Sequence, residues 1–215
     1  MLFRSRHADL VATASADLMA ELPVQPPGQR RAVLPCGVAT DRFRRLSRAE
    51  ARVRLGLDPV GRYLLLAADP ARPGKRADRA RELATATQSM LLTAGAIDPA
   101  EMPWYVNAAN AVLVPSDHEG FGLAVLEALA CDVPVLATPT GIHREALDGV
   151  AGTLCAAYDL SLWAGALGPH LEAPDPRIDG RQRAAQYSSI VMAERVLQAW
   201  RELAGEPLDS PRAAS

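Results

Sequence analysis

The stretch Asp117-His118-Glu119-Gly120-Phe121-Gly122-Leu123-Ala124-Val125-Leu126-Glu127-Ala128-Leu129-Ala130-Cys131 decides the fold of this chain. An apolar run, Ala111-Val112-Leu113-Val114-Pro115, precedes it, and a second, Val133-Pro134-Val135-Leu136-Ala137, follows it. Both runs read as buried strands. Between them two glycines open a helix that is apolar almost all round. Strand, loop, helix and strand in that order make a βαβ crossover, and a crossover requires parallel strands.

Two features of this helix exceed what a scaffold needs. Glu127 stands among Val125, Leu126, Ala128 and Leu129, where a carboxylate costs several kcal/mol, roughly, unless it is hydrogen-bonded or opens onto a cleft. The glycines at the entry leave backbone N–H groups bare at the positive end of the helix, which makes an anion site. Glu127 lies about 7.5 Å along the axis from Gly122 at 1.5 Å per residue. A phosphate at the helix start could therefore present hydroxyl-bearing groups to Glu127 on one side and to Glu119, in the loop, on the other. A phosphate flanked in this way describes a nucleotide sugar.

The segment Glu119-Gly120-Phe121-Gly122, four residues, Glu127, continued by Ala128-Leu129-Ala130-Cys131-Asp132-Val133-Pro134-Val135-Leu136-Ala137-Thr138, resembles the donor-site signature of the retaining family 4 glycosyltransferases. That family has the GT-B fold, two Rossmann-like domains facing a cleft. The resemblance implies that Glu119 binds hydroxyls of the donor sugar and Glu127 those of the ribose. It assigns the N–H groups of Phe121, Gly122 and Leu123, beside Gly120, to phosphate.

The whole chain sets wider bounds. Its 215 residues are 49% hydrophobic and 22% charged, ordinary for a soluble globular protein. They suit one domain with a fragment of another. A net charge of −2 gives no electrostatic case for nucleic acid. No apolar run approaches the length of a membrane helix, and the start lacks the apolar core of a signal peptide. Cys36, Cys131 and Cys155 are odd in number and far apart, which fits cytosolic thiols and speaks against a metal site. The basic residues are 22 Arg and one Lys, Lys75.

Taken in order, Ala8–Leu22 reads as a strand, a Ser or Asp cap and a helix ended before Pro23, followed by a proline-containing loop to Arg31. By resemblance residues 1–30 are a remnant of the N-terminal, acceptor-binding domain and its linker. Val33–Phe43 resembles the junction between the two domains, with Cys36 where the family has Asn and Ala39 where it has Asp. By the same resemblance residues 31–205 are the donor-binding domain, and residues 206–215 read as a disordered tail. Ser47, with Glu50 three residues on, opens a helix to Leu57. Arg62–Ala68 is a strand, and the loop after it carries Arg72 and Lys75 at a carboxyl edge, where open α/β sheets bind ligands. In the family an Arg and a Lys of this loop hold the donor diphosphate, each through charge-assisted bonds of about 1.5–3 kcal/mol.

Ser89–Gly95 is the next strand, and the backbone from Gly95 to Ile97 borders the nucleobase by resemblance. Lys75 to Leu91 is shorter than in relatives, as though a strand and helix were absent. Asp98 is expected to cap a helix over 100–109, with Trp104 and Tyr105 in its core. Gly141 suits a tight turn over the ligand. His143, in the same loop, could approach a phosphate, although a lone loop histidine is more often solvated. Helices are expected over 159–167, 177–187 and 189–204, the last amphipathic through Met192, Val196, Leu197 and Trp200.

The expected fold is thus α/β, a Rossmann-like parallel sheet with helices on both faces, the C-terminal half of a GT-B fold. The resemblance implies transfer of a hexose from a UDP- or GDP-linked donor to an acceptor hydroxyl with retention. The helix start, Lys75 and Arg72 would stabilise the leaving diphosphate without a metal. Paired carboxylates also describe a glycoside hydrolase, but Glu127 belongs to a helix behind a phosphate-type loop. A glycan or glycolipid acceptor and a cytoplasmic site, free or peripheral at the inner membrane face, follow from the family alone. Most of the family's acceptor-side groups lie in the N-terminal domain, of which the resemblance implies this chain carries only a remnant. One subunit of a two-chain transferase with that domain in trans, a gene fragment, and a non-catalytic nucleotide-sugar-binding module remain alternatives.

Overall fold

The computed structural model describes residues 8–205. Residues 206–215, expected to form the tail, lie outside the described residues.

The main sheet is built from Tyr63–Leu66 (β3), Met90–Thr93 (β4), Ala111–Val114 (β5), Val135–Ala137 (β6) and Leu154–Cys155 (β7). All of its pairings are parallel, in the order β4-β3-β5-β6-β7. The side-chain period of 2 divides its residues between two cores. Leu64, Leu66, Ala111, Leu113 and Leu136 face a layer holding Ala80 and Leu83 of the helix Ala77–Ala86 (α3) with Trp163 and Leu167 of Leu160–Glu172 (α7). Leu65, Val112, Val114, Val135 and Ala137 face the opposite layer. It is formed by Met102–Ala108 (α4), Leu123–Ala130 (α5), His143–Leu147 (α6) and Arg181–Ala185 (α8). Helices on both faces are why the strands read as continuous apolar runs.

The order corresponds to 2-1-3-4-5, so successive crossovers leave β3 in opposite directions. The carboxyl ends of β3 and β5 therefore border a switch-point crevice, the ligand position of doubly wound sheets.

Leu10–Thr13 (β1) and Arg30–Val33 (β2) pair in parallel as a separate two-stranded sheet, with Ala16–Ala20 (α1) between them. Ser15 caps α1 by accepting from the Leu18 N–H, as its sequence position predicts. The strand β2 takes up the end of the segment expected as loop to Arg31. Arg48–Arg54 (α2) is likewise capped by Ser47, which accepts from the Glu50 N–H. The chain closes with Ser189–Ala204 (α9), which returns to the first segment: the Ser189 N–H donates to the Val38 carbonyl at 3.0 Å, and Arg30 donates to the Glu202 carbonyl at 2.9 Å.

Local expectations fail at three places. The α4 helix starts at Met102 and is not capped by Asp98. Asp98 instead accepts from the Ala100 N–H two residues on, at 2.8 Å, a local turn that competes with capping. The helix expected over 159–167 runs on to Glu172, because Leu171 still packs against the core, and Pro169 is accommodated within it. The helix expected over 177–187 shrinks to Arg181–Ala185. Arg177 is spent on tertiary bonds to the carbonyls of Leu46 and Cys131 and to Asn107.

Candidate functional site

At the crevice lies a cavity of about 250 Å³, lined among others by Ala67, Ala68, Lys75, Ser116, Glu119, Gly122, Leu123 and Glu127. Its floor comes from the ends of β3 and β5 and its wall from the first two turns of α5.

The start of α5 is cut by Gly122, which holds φ at 111°, a backbone state that side chains rarely adopt. A Cβ there would also collide with the imidazole of His143. No side chain caps this helix, so its first N–H groups remain available at the positive end of the dipole.

Lys75 and Glu119, on loops after different strands, meet across the cavity. Lys75 Nζ lies 2.7 and 2.6 Å from the two Glu119 carboxylate oxygens, and Ser116 Oγ donates to Oε1 at 2.7 Å. Both members are largely buried, with side-chain exposures of 17% and 11%. The Lys75 segment is itself a 3-10 turn over Pro73–Lys75, pinned when the Asp117 N–H donates to the Gly74 carbonyl at 3.0 Å.

Glu127 projects from the second turn of α5 into the same cavity and accepts no hydrogen bond from the described residues. Burial raises its pKa above the usual carboxylate value, and the Arg42 charge only partly opposes this. A carboxylate without a partner in an apolar helix keeps its full capacity to accept hydrogen bonds.

The other candidate residues lie around this centre. Gly141, at φ 55°, packs so closely on the Phe121 carbonyl that a side chain would collide with it. Phe121 is buried in the core, its carbonyl accepting from the Ile142 N–H at 2.9 Å, while Gly120 is exposed above it. Gly95 is exposed and packs against Asp69 and Pro70 beyond the cavity wall. Arg72 is also exposed and outside the lining. The neighbouring Arg76 and Arg79 are engaged with Asp117.

Two further residues shape the site. Ser116 is 1% exposed and orients Glu119; its position just past the end of the β5 run was the available signal. His143 is no solvated loop residue: it is fully buried, with Nδ1 2.7 Å from the Thr138 carbonyl. Its burial arises because α6 folds against the start of α5, a contact no local pattern encodes. Ser15 Oγ also donates to the Gly120 carbonyl at 3.5 Å, bringing the first segment against the glycine loop.

The fold and the site together define a doubly wound α/β domain with an uncapped helix start and two carboxylates at its switch point. Residues 41–172, more than half of the chain, match the family described as glycosyl transferases group 1, and the chain belongs to that family. It is 32% identical over 86% of its length to a D-inositol 3-phosphate glycosyltransferase of Segniliparus rotundus, of which it covers 47%. A D-inositol 3-phosphate glycosyltransferase of Mycobacterium avium is 51% identical over 79 residues, 36% of this chain and 19% of the relative. The chain thus spans at most about half the length of these curated relatives. Among solved structures, Anabaena HepE in complex with UDP and glucose superposes with a TM-score of 0.73 at 15% identity, covering 91% of this chain and 64% of HepE. Sucrose-phosphate synthase from Thermosynechococcus elongatus gives 0.72 at 24% identity, covering 93% and 59%. The matched region of each has the same fold as this chain.

Proposed function

We propose that this chain is the donor-binding half of a retaining glycosyltransferase of family 4, taking a hexose from an NDP-sugar. The observation that carries this reading is one cavity shared by the uncapped α5 start, the Lys75–Glu119 pair and an unpartnered Glu127. In this reading the diphosphate lies at the N–H groups of Phe121, Gly122 and Leu123. Lys75 exchanges its contact with Glu119 for phosphate oxygens, and Glu119, freed but still held by Ser116, accepts from sugar hydroxyls. Glu127 accepts from the ribose hydroxyls. Stabilisation of the leaving diphosphate comes from fixed dipoles and one lysine, and no metal is invoked. Arg72, on its exposed turn, would reach the diphosphate only by swinging inward.

A UDP-linked donor is favoured by the UDP and glucose bound to the structurally similar HepE. The name of the sequence relatives favours a phosphorylated cyclitol as acceptor over the glycan or glycolipid expected from the family in general.

Titration calorimetry of the purified chain with UDP, GDP and ADP tests the donor site. Saturable binding of one of the three is expected. Lys75→Ala and Glu127→Ala should each weaken it, the former by roughly 10- to 100-fold, the worth of a charge-assisted contact. Absence of binding to the folded protein, or binding indifferent to both substitutions, rejects the reading.

A further inference from the structure

Behind the phosphate loop stands a group that the proposed reaction does not use. His143 is wholly buried at the start of α6, and its ring presses on Gly122 so closely that a side chain there would collide with Nε2. The Thr138 carbonyl, 2.7 Å from Nδ1, can only accept, so Nδ1 carries the proton and the other nitrogen is bare in the neutral ring. Nε2 is buried and has no hydrogen-bond partner among the described residues. An orphaned ring nitrogen against the turn that opens the anion site is a costly arrangement, and it lies where the charge of a ligand would be felt.

We propose that His143 is a proton-linked positioning residue of the donor site, taking up a proton at Nε2 when a nucleoside diphosphate sugar binds in front of Gly122. The inference rests on the donor-site reading above. The charged groups facing the ring from other elements are Glu119 and Lys75, which act on it in opposite directions and are paired with each other in the free protein. On its own helix, Glu145 is engaged by the Tyr187 hydroxyl, and Arg144 is exposed. Without ligand the ring is therefore held neutral by burial, its pKa below the ordinary histidine value. A bound diphosphate brings two negative charges to the adjacent helix start, and the nearby negative charge favours the imidazolium. The bound-state pKa then exceeds the free-state one, so the extra affinity is complete below the free pKa and disappears as pH rises through the bound pKa. His143 acts through the Gly122 turn and does not line the cavity.

The test uses UDP-glucose, GDP-glucose and ADP-glucose, whose diphosphate diesters do not titrate between pH 5.5 and 8, about the range in which histidine changes charge. For whichever binds, the wild-type Kd should tighten severalfold from the alkaline to the acid end. Calorimetry in buffers of differing ionisation enthalpy should show proton uptake. His143→Asn keeps an N–H for Thr138, and it should bind with a flat pH profile and no linked proton. An NMR titration of the His143 ring in the unmodified protein, without and with saturating sugar nucleotide, should show its pKa rise on binding, even where the Asn variant folds poorly. A pKa unmoved by ligand, a flat wild-type profile, or the same slope in a folded His143→Asn protein overturns the proposal while leaving the donor site intact. Failure of all three sugar nucleotides to bind at any pH overturns both.

Discussion

Glu127 shows the conflict at the residue scale. Its carboxylate lies on a helix whose other residues are nearly all core, and burial holds its pKa above the ordinary carboxylate value. The folded protein thus binds this proton more tightly than the unfolded chain. The group's cost is absent below the unfolded pKa and grows as pH rises through the folded one. Glu127→Gln removes that ionisation, so the variant should melt higher than the wild type at pH 7. The gain should shrink to nothing as pH falls through the ordinary carboxylate range, while nucleotide affinity is lost. Thermal melts across pH with parallel calorimetry check both halves, and a lower melting temperature at neutral pH would show that Glu127 has a structural partner. Stability exchanged for a binding group in this way is typical of functional sites. Glu119 presents the opposite arrangement: with Lys75 and Ser116 on its oxygens it is satisfied before any ligand arrives.

At the scale of elements, the site depends on helices being held in register with a sheet they touch only partly. Buried arginines do much of this. Arg48 of α2 donates to the carbonyls of Ala109, Pro174 and Pro176, while Arg52 donates to the Ala108 carbonyl and to Asn110 Oδ1. These bonds fasten α2 to the end of α4 and to the segment after α7. Arg48→Leu would fill the space and leave buried carbonyls without donors, each at about 1–3 kcal/mol. Urea unfolding should show the unfolding free energy reduced by at least one such penalty, and the midpoint lowered with it, with nucleotide affinity at the distant cavity little changed. A variant as stable as the wild type would mean that water replaces the guanidinium. The sequence marks the α5 start plainly, through Gly122 and the run after it, because glycine tolerance and helical period are local properties. It does not mark α2 as an arginine-anchored helix, since Arg48 and Arg52 read like any exposed basic residues until their neighbours are placed.

For the whole molecule, the chain carries one doubly wound sheet, and its α9 helix returns to the β1–β2 pair while exposing Ile190, Leu197 and Trp200, at 71%, 48% and 66%. Among the described residues no helix is long and apolar enough to cross a membrane. A transferase cleft of the GT-B kind needs a facing domain for the acceptor, and this chain spans at most about half of its curated relatives. The 215-residue chain alone is therefore expected to bind a nucleotide without measurable sugar transfer to D-inositol 3-phosphate. Product formation by the purified chain, followed by mass spectrometry, would overturn that expectation.

Local pattern in the chain was enough for the class of the fold and for several of the residues that line the cavity. Apolar runs separated by helical periods dictate parallel strands with helices on both faces, and Glu119, Gly122 and Glu127 announce themselves through spacing within one βαβ unit. Lys75 was legible because a cation after a strand belongs at a carboxyl edge. How these residues act on one another came from the packing of distant segments. That packing paired Lys75 with Glu119 across two loops, put Ser116 beneath them, left Arg72 and Gly95 outside the cavity, and buried His143 against Gly122. The physical reason is range: backbone propensity and hydrophobic period act over a few residues and are written locally, whereas burial and pairing depend on which distant segments the sheet order brings together.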